Sequence, residues 1–120
     1  MALMVLRPDN RVRPGITTSV RHEGATTVVV LRGEADTSTT TVLSDALSRL
    51  IATPGGDVVI DLSETEFIDT ATVHTFAVAV KLFGDRGRTL TFRSPSRLAA
   101  RVLDLFGLSQ SIERYERALS

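Results

Sequence analysis

The apolar segments of this chain predict an α/β fold: a mixed sheet that opens as an antiparallel hairpin, continues with parallel strands and is packed with about three to four helices. Three observations carry this. Two runs rich in Val and Thr, Ile16 to Arg21 and Thr27 to Arg32, flank the short Gly-containing stretch His22-Glu23-Gly24-Ala25, which reads as strand, turn, strand. Helix-period and strand-period segments then alternate to the end of the chain. The run Val58-Val59-Ile60 is continuous, apolar and β-branched, as in a strand buried on both faces.

Each element has a local reason. Residues 7–15, RPDNRVRPG, combine two prolines, a glycine and three arginines and read as an exposed arm, so residues 1–15 are set apart from a domain over 16–120. Gly33 is expected to end the second strand. From Thr39 to Ala52 the residues Val42, Leu43, Ala46, Leu47, Leu50 and Ile51 form one helical stripe, with Asp36, Ser38 and Thr39 as possible caps. Pro54-Gly55-Gly56 stops that helix, and Asp57 to Leu62 is the buried strand. A second helix over Thr70 to Gly84 turns Val73, Phe76, Ala77, Val80 and Phe83 inward. Thr89 to Phe92 is a short strand. Ser94-Pro95 reads as a helix start, with Leu98, Ala99, Val102, Leu105 and Phe106 on its apolar side and Gly107 at its end. The tail from Ser111 to Ser120 fits either a strand or a short helix.

Composition narrows the function classes. The 14 basic and 14 acidic residues cancel, so the chain lacks the basic excess that binding to nucleic-acid phosphates requires. It has no cysteine, which removes disulfides and thiolate metal sites, and its two histidines are far apart, so no metal is expected. The apolar stretch Met1 to Leu6 is short for a signal core, and nothing approaches a membrane span. A cytoplasmic location is the expectation, and no cofactor is expected.

In a parallel sheet, ligands and partners meet the loops at the carboxyl ends of the strands. Two loops are expected there, Gly33 to Thr37 and Ser63 to Thr70, each with an aspartate beside hydroxyl residues. Asp69 stands where an N-cap is needed. Thr70 and Thr72 read as first-turn residues with their hydroxyls facing water, and His74 as an exposed polar residue one turn on. Glu34 and Asp36 read as loop carboxylates and His22 as a solvated residue near its turn. A phosphate in the first turn of the second helix would meet free backbone N–H groups and the positive end of the helix dipole. Its charge of about −1.5 to −2 would repel an acidic partner without refolding the domain.

Three segments in order, LRGEADTST, DVVIDLSETEFIDTATV and RVLDLFGLSQSIERYE, resemble the STAS domain, and more narrowly the bacterial anti-sigma factor antagonists. Gly33, Glu34 and Asp36 match that family's Gly-Glu-x-Asp. Asp61, Leu62 and Ser63 match its Asp-Leu-Ser, and Phe67, Ile68 and Asp69 lead into its Asp-Ser-Ser-Gly. Leu103, Gly107 and Leu108 match the end of its late helix. The resemblance spans roughly residues 16 to 117 and implies a STAS-like sheet and a non-enzymatic docking protein. It further implies that the partner is an anti-sigma factor of the serine-kinase type, and that binding it releases a sigma factor without direct contact to DNA. In the family the second serine accepts the phosphate. Here Ala71 takes that place, Thr70 replaces the first serine, and Thr72 and His74 stand where small glycines are usual. The expected partner-binding set is Asp36, Asp69, Thr70, Ala71, Thr72 and His74. The relocated phosphoacceptor candidates are Thr70, then Thr72.

Two other classes compete. One is an enzyme using Asp36, Asp69 and His74, against which stands the lack of a Gly-rich phosphate loop, a nucleophile elbow or a metal cluster. The other is a STAS ligand-sensing or scaffold module in a stress-signalling or transporter complex.

Overall fold

A computed structural model describes residues 16–35 and 39–113. The expected arm at 1–15, the site residue Asp36 and the tail beyond Glu113 lie outside the described residues. Strand β1 (Ile16–Glu23) and strand β2 (Thr26–Ala35) form the hairpin; helix α1 (Thr40–Ala52), strand β3 (Val58–Ile68), helix α2 (Thr70–Gly84), strand β4 (Leu90–Arg93) and helix α3 (Arg97–Leu105) follow. The sheet order is β1-β2-β3-β4. β1 runs antiparallel to β2, while the β2–β3 and β3–β4 pairs are parallel. The expected mixed sheet and three of the helices are thus present.

Alternation along the strands divides the sheet into two faces. Val29, Leu31, Val58, Ile60, Leu62, Leu90 and Phe92 face the helices and join Leu43, Leu47, Val73, Phe76, Ala79, Phe83, Ala99 and Leu103 in one core. Phe76 and Phe92 meet at its centre, with ring centroids 5.0 Å apart. On the other face Val28, Val30 and Val59 form a second, smaller cluster. Charged side chains surround these valines. Arg93 bridges Glu23 at 3.0 Å and Glu113 at 2.6 Å, Arg21 reaches Glu23 at 3.2 Å and Asp61 at 3.9 Å, and Arg32 pairs with Glu64 at 2.6 Å.

The amino ends of the parallel strands are stitched by one arginine. Arg88 Nη1 donates to the carbonyls of Leu50 and Thr53 at 3.2 Å and of Ile51 at 3.4 Å, and Nε donates to Gly56 O at 2.9 Å. Its guanidinium lies 4.8 Å from the Phe83 ring centroid. The last carbonyls of α1, which no helical N–H can reach, are satisfied this way. Gly56 must be glycine for a related reason: a Cβ there would stand 2.6 Å from the Ala25 carbonyl oxygen.

Four expectations are corrected. β2 and β3 do not stop at Gly33 and Leu62 but run on to Ala35 and Ile68, so most of both expected loops is strand. The polar run Ser63-Glu64-Thr65 stays extended because β2 offers a pairing partner, with register shifts after Val30 and Gly33. Gly33 takes φ +107° at the second shift, a conformation that side chains resist. Ser94 does not cap α3. It takes φ +54° ahead of Pro95, and Ser96 Oγ accepts from Ala99 N at 3.0 Å instead. Finally, Leu98, Leu105 and Phe106 are not in the core but exposed, as is Val42 on α1. The inward stripe of α3 is Ala99 and Leu103, four residues apart.

Candidate functional site

The extension of β3 delivers the chain to α2 with its backbone anchored: Asp69 N donates to Ala35 O, the last residue of β2, at 3.0 Å. Asp69 then leaves the sheet in an extended conformation, φ −101° and ψ 177°, and caps α2. Its Oδ1 accepts from Thr72 N at 2.9 Å, while its carbonyl accepts from Val73 N at 3.1 Å. The carboxylate therefore satisfies one first-turn N–H and places negative charge where the helix dipole favours it.

The first turn of α2 presents Thr70, Ala71 and His74 to solvent beside the half-buried Asp69. Thr75 is half-buried, and its hydroxyl donates to Ala71 O at 3.1 Å. Ala71 contributes only an exposed methyl group to this turn. Thr72 does not face water as expected: it is 0% exposed, and its Oγ1 is the buried side-chain oxygen without a hydrogen-bond partner among the described residues. The reason is angular. At about 100° per residue, Thr72 falls within about 40° of both Phe76 and Ala79, inside the buried arc of α2. A hydroxyl enclosed there is accessible neither to a kinase nor to a partner surface. Glu34 is half-buried at the end of β2 rather than in a loop, and His22 is exposed in β1.

Beside this turn lies a feature that the helical stripes do not reveal. A groove of about 190 Å³ opens between α1 and α2, with Leu47, Val78 and Leu82 on its walls and Ser44, Ser48 and His74 among its polar lining. Val78 and Leu82 are exposed although apolar, which is the one sequence-level hint of it, since they fall four residues apart outside the buried arc. The groove is open rather than enclosed, smaller than the 300–1,000 Å³ usual for ligand pockets. Among the described residues no cluster of His, Cys, Asp or Glu is arranged to hold a metal ion, and no helix is long and apolar enough to cross a membrane. The arrangement offers a capped helix end with an exposed, largely uncharged turn next to one carboxylate, suited to contact with another protein surface.

A family profile described as "Mlab, STAS domain" matches residues 18–114. Among solved structures, an anti-sigma factor antagonist from Mycobacterium paratuberculosis is 28% identical with a TM-score of 0.70, covering 88% of this chain and 92% of that one. The anti-sigma factor antagonist SpoIIAA in its unphosphorylated form is 18% identical with a TM-score of 0.71, covering 86% of this chain and 93% of its own. The Bacillus cell fate determinant SpoIIAA in the phosphorylated form is 17% identical with a TM-score of 0.66, covering 86% and 96%. At those identities the two SpoIIAA structures speak to the fold. No curated protein sequence matches the chain.

Proposed function

The chain belongs to the STAS domain family, and on that premise we propose that it is an anti-sigma factor antagonist. It docks through the first turn of α2 onto an anti-sigma factor of the serine-kinase type and thereby releases a sigma factor. The observation that carries this reading is the exposed turn Thr70-Ala71 with His74, held by the Asp69 cap at the carboxyl end of the sheet. The near end-to-end likeness to the mycobacterial antagonist supports the partner class.

The same turn argues for a changed switch. Ala71 has no hydroxyl, so a phosphate cannot be placed there, and the protein is competent to dock by default. Thr70 is the remaining exposed hydroxyl of the first turn. It lies one residue early, turned by about 100° from the Ala71 direction, so a kinase that aligns its substrate rigidly leaves it unmodified. Asp69, Thr70, Ala71 and His74 form the proposed contact, and Asp36 remains part of the proposal. Thr72, being buried, contributes to it only by shaping the turn.

Incubation with anti-sigma kinases and ATP, followed by intact-mass measurement, tests the switch. No phosphorylated species is expected from the wild type, and Ala71→Ser is expected to acquire one. A phosphorylated wild type that Thr70→Val abolishes would show a relocated acceptor. Docking is tested by titrating the same kinases with His74→Arg, which is expected to weaken binding while circular dichroism is unchanged. Membership of the STAS family is equally compatible with a second reading, a STAS ligand-sensing or scaffold module in a stress-signalling or transporter complex. Pull-down of transporter subunits with no anti-sigma factor would select that reading.

A further inference from the structure

The outer side of α3 carries the most exposed large apolar side chain among the described residues, Leu105, at 78%, together with Leu98 at 62% and, just past the helix, Phe106 at 37%. Three exposed charged residues, Arg97, Arg101 and Asp104, share this side, and none of them forms an ion pair among the described residues. An amphipathic helix ordinarily points such leucines inward. Here Ala99 and Leu103 fill the inward side, and the leucines are left over.

The spacing of these residues identifies what covers them. Leu98 and Leu105 are seven residues apart, and so are Arg97 and Asp104. Seven residues are close to two turns, about 10.5 Å along the axis, so each pair lies on one stripe. Both pairs straddle Arg101. Two copies of α3 laid antiparallel about a two-fold axis near Arg101 therefore bring Leu98 of one against Leu105 of the other, twice. They also bring Arg97 of one beside Asp104 of the other, twice. This stripe is self-complementary, as a symmetric contact between identical chains requires. An acidic helix from a foreign protein would suit Arg97 and Arg101 but would repel Asp104, so a second copy is the better fit.

We propose that α3 is a self-association face through which two copies of this chain form a weak, symmetric dimer, independent of the docking turn on α2. Two features keep it weak. α3 has nine residues, about 13 Å, too short alone to bury the roughly 800 Å² per partner of a standard interface. The two copies of Arg101 also meet at the axis, and their like charges oppose association.

Sedimentation velocity on the full chain at low salt, from micromolar to millimolar concentration, tests the face. A monomer–dimer equilibrium is expected. Leu105→Glu, at a site too exposed to affect folding, abolishes the dimer. Arg97→Glu and Asp104→Arg each raise the dissociation constant about tenfold, because both symmetry-related pairs turn repulsive. An equimolar mixture of these two variants recovers association, since the heterodimer restores opposite charges at both positions. Arg101→Gln tightens the dimer by removing the repulsion at the axis. A merely sticky apolar patch would not reproduce that charge pattern. A chain that stays monomeric throughout overturns the proposal, whether its α3 instead binds an acidic peptide, anionic vesicles or the chain's own C-terminal residues. A dimer indifferent to the charge exchanges and to Leu105→Glu overturns it equally, because it would be using another face.

Discussion

The two faces of the sheet are built from alternate residues of the same strands, yet they are held by different physics. On the helix side Val29, Leu31, Val58 and Ile60 join a continuous apolar core with Phe76, Phe83 and Phe92. Dispersion and burial dominate there, which depend little on salt or pH. On the opposite side, Val28, Val30 and Val59 are just as buried, but no described helix packs over them. On that face Arg21 pairs with Glu23, and Arg93 with Glu23 and Glu113. One face tolerates changes of solution and resists changes of sequence. The other is sensitive to solution conditions.

The comparison is broken most severely at the centre of the dry face. Phe76→Ala removes a fully buried ring and its contact with Phe92, and a loss of about 3–5 kcal/mol in urea unfolding is expected. On the charged face the corresponding change is Arg93→Met. It keeps the stem but leaves Glu113 and Glu23 without their shared partner. The pairs are partly exposed, so a loss of about 1–2 kcal/mol is expected, shrinking as salt is raised. Thr72→Val sharpens the contrast in the other direction. It replaces the unpartnered buried hydroxyl of the dry face with a methyl of the same shape, and a gain of about 1 kcal/mol is expected from the same unfolding curves.

The smallest effect is the pH response of the charged face. The hydrogen bond from Arg93 holds the Glu23 carboxyl below its usual range; partial burial opposes this, and Arg21 adds to the lowering. A depressed carboxylate stabilises the fold above its unfolded value, near 4.5, and that contribution is lost as pH falls through the folded value. Urea midpoints of the wild type and Glu23→Gln should therefore differ at neutral pH and converge in acid below that point. Midpoints that stay equally far apart at all pH values would assign the effect to packing.

The dry face is also the part most legible in the sequence. α2 is readable to the residue because its apolar period is long and Asp69 stands at its start. The parallel run through β3 is readable because VVI tolerates no polar face. Pairing between distant segments is not readable. Ser63-Glu64-Thr65 looks like loop, and it is strand because β2 pairs with it, Arg32 opposite Glu64 and Gly33 opposite Thr65, with the Thr65 hydroxyl donating to Leu31 O at 3.0 Å. At the site the cap and the exposure of Thr70, Ala71 and His74 follow from the sequence. The burial of Thr72 lies in the helical angles but is masked by its polarity. The α1–α2 groove needs two helices at once. For α3, leucines on two sides give the sequence no means of choosing which side turns inward.

The Arg88 fork has a consequence for the order in which the molecule assembles. Its acceptors, Leu50, Ile51, Thr53 and Gly56, lie 32 to 38 residues away along the chain. The bonds can close only after α1 has ended, β3 has been laid down and α2 has brought Phe83 beneath the guanidinium. We expect them to close late, after the rate-limiting barrier, because each joins segments that must already be in place. Interactions of that kind leave the speed of folding nearly untouched and govern how slowly the finished structure comes apart. Arg88→Met should thus steepen stopped-flow unfolding rates while refolding rates hold, which would make this one side chain the latch on the domain's lifetime.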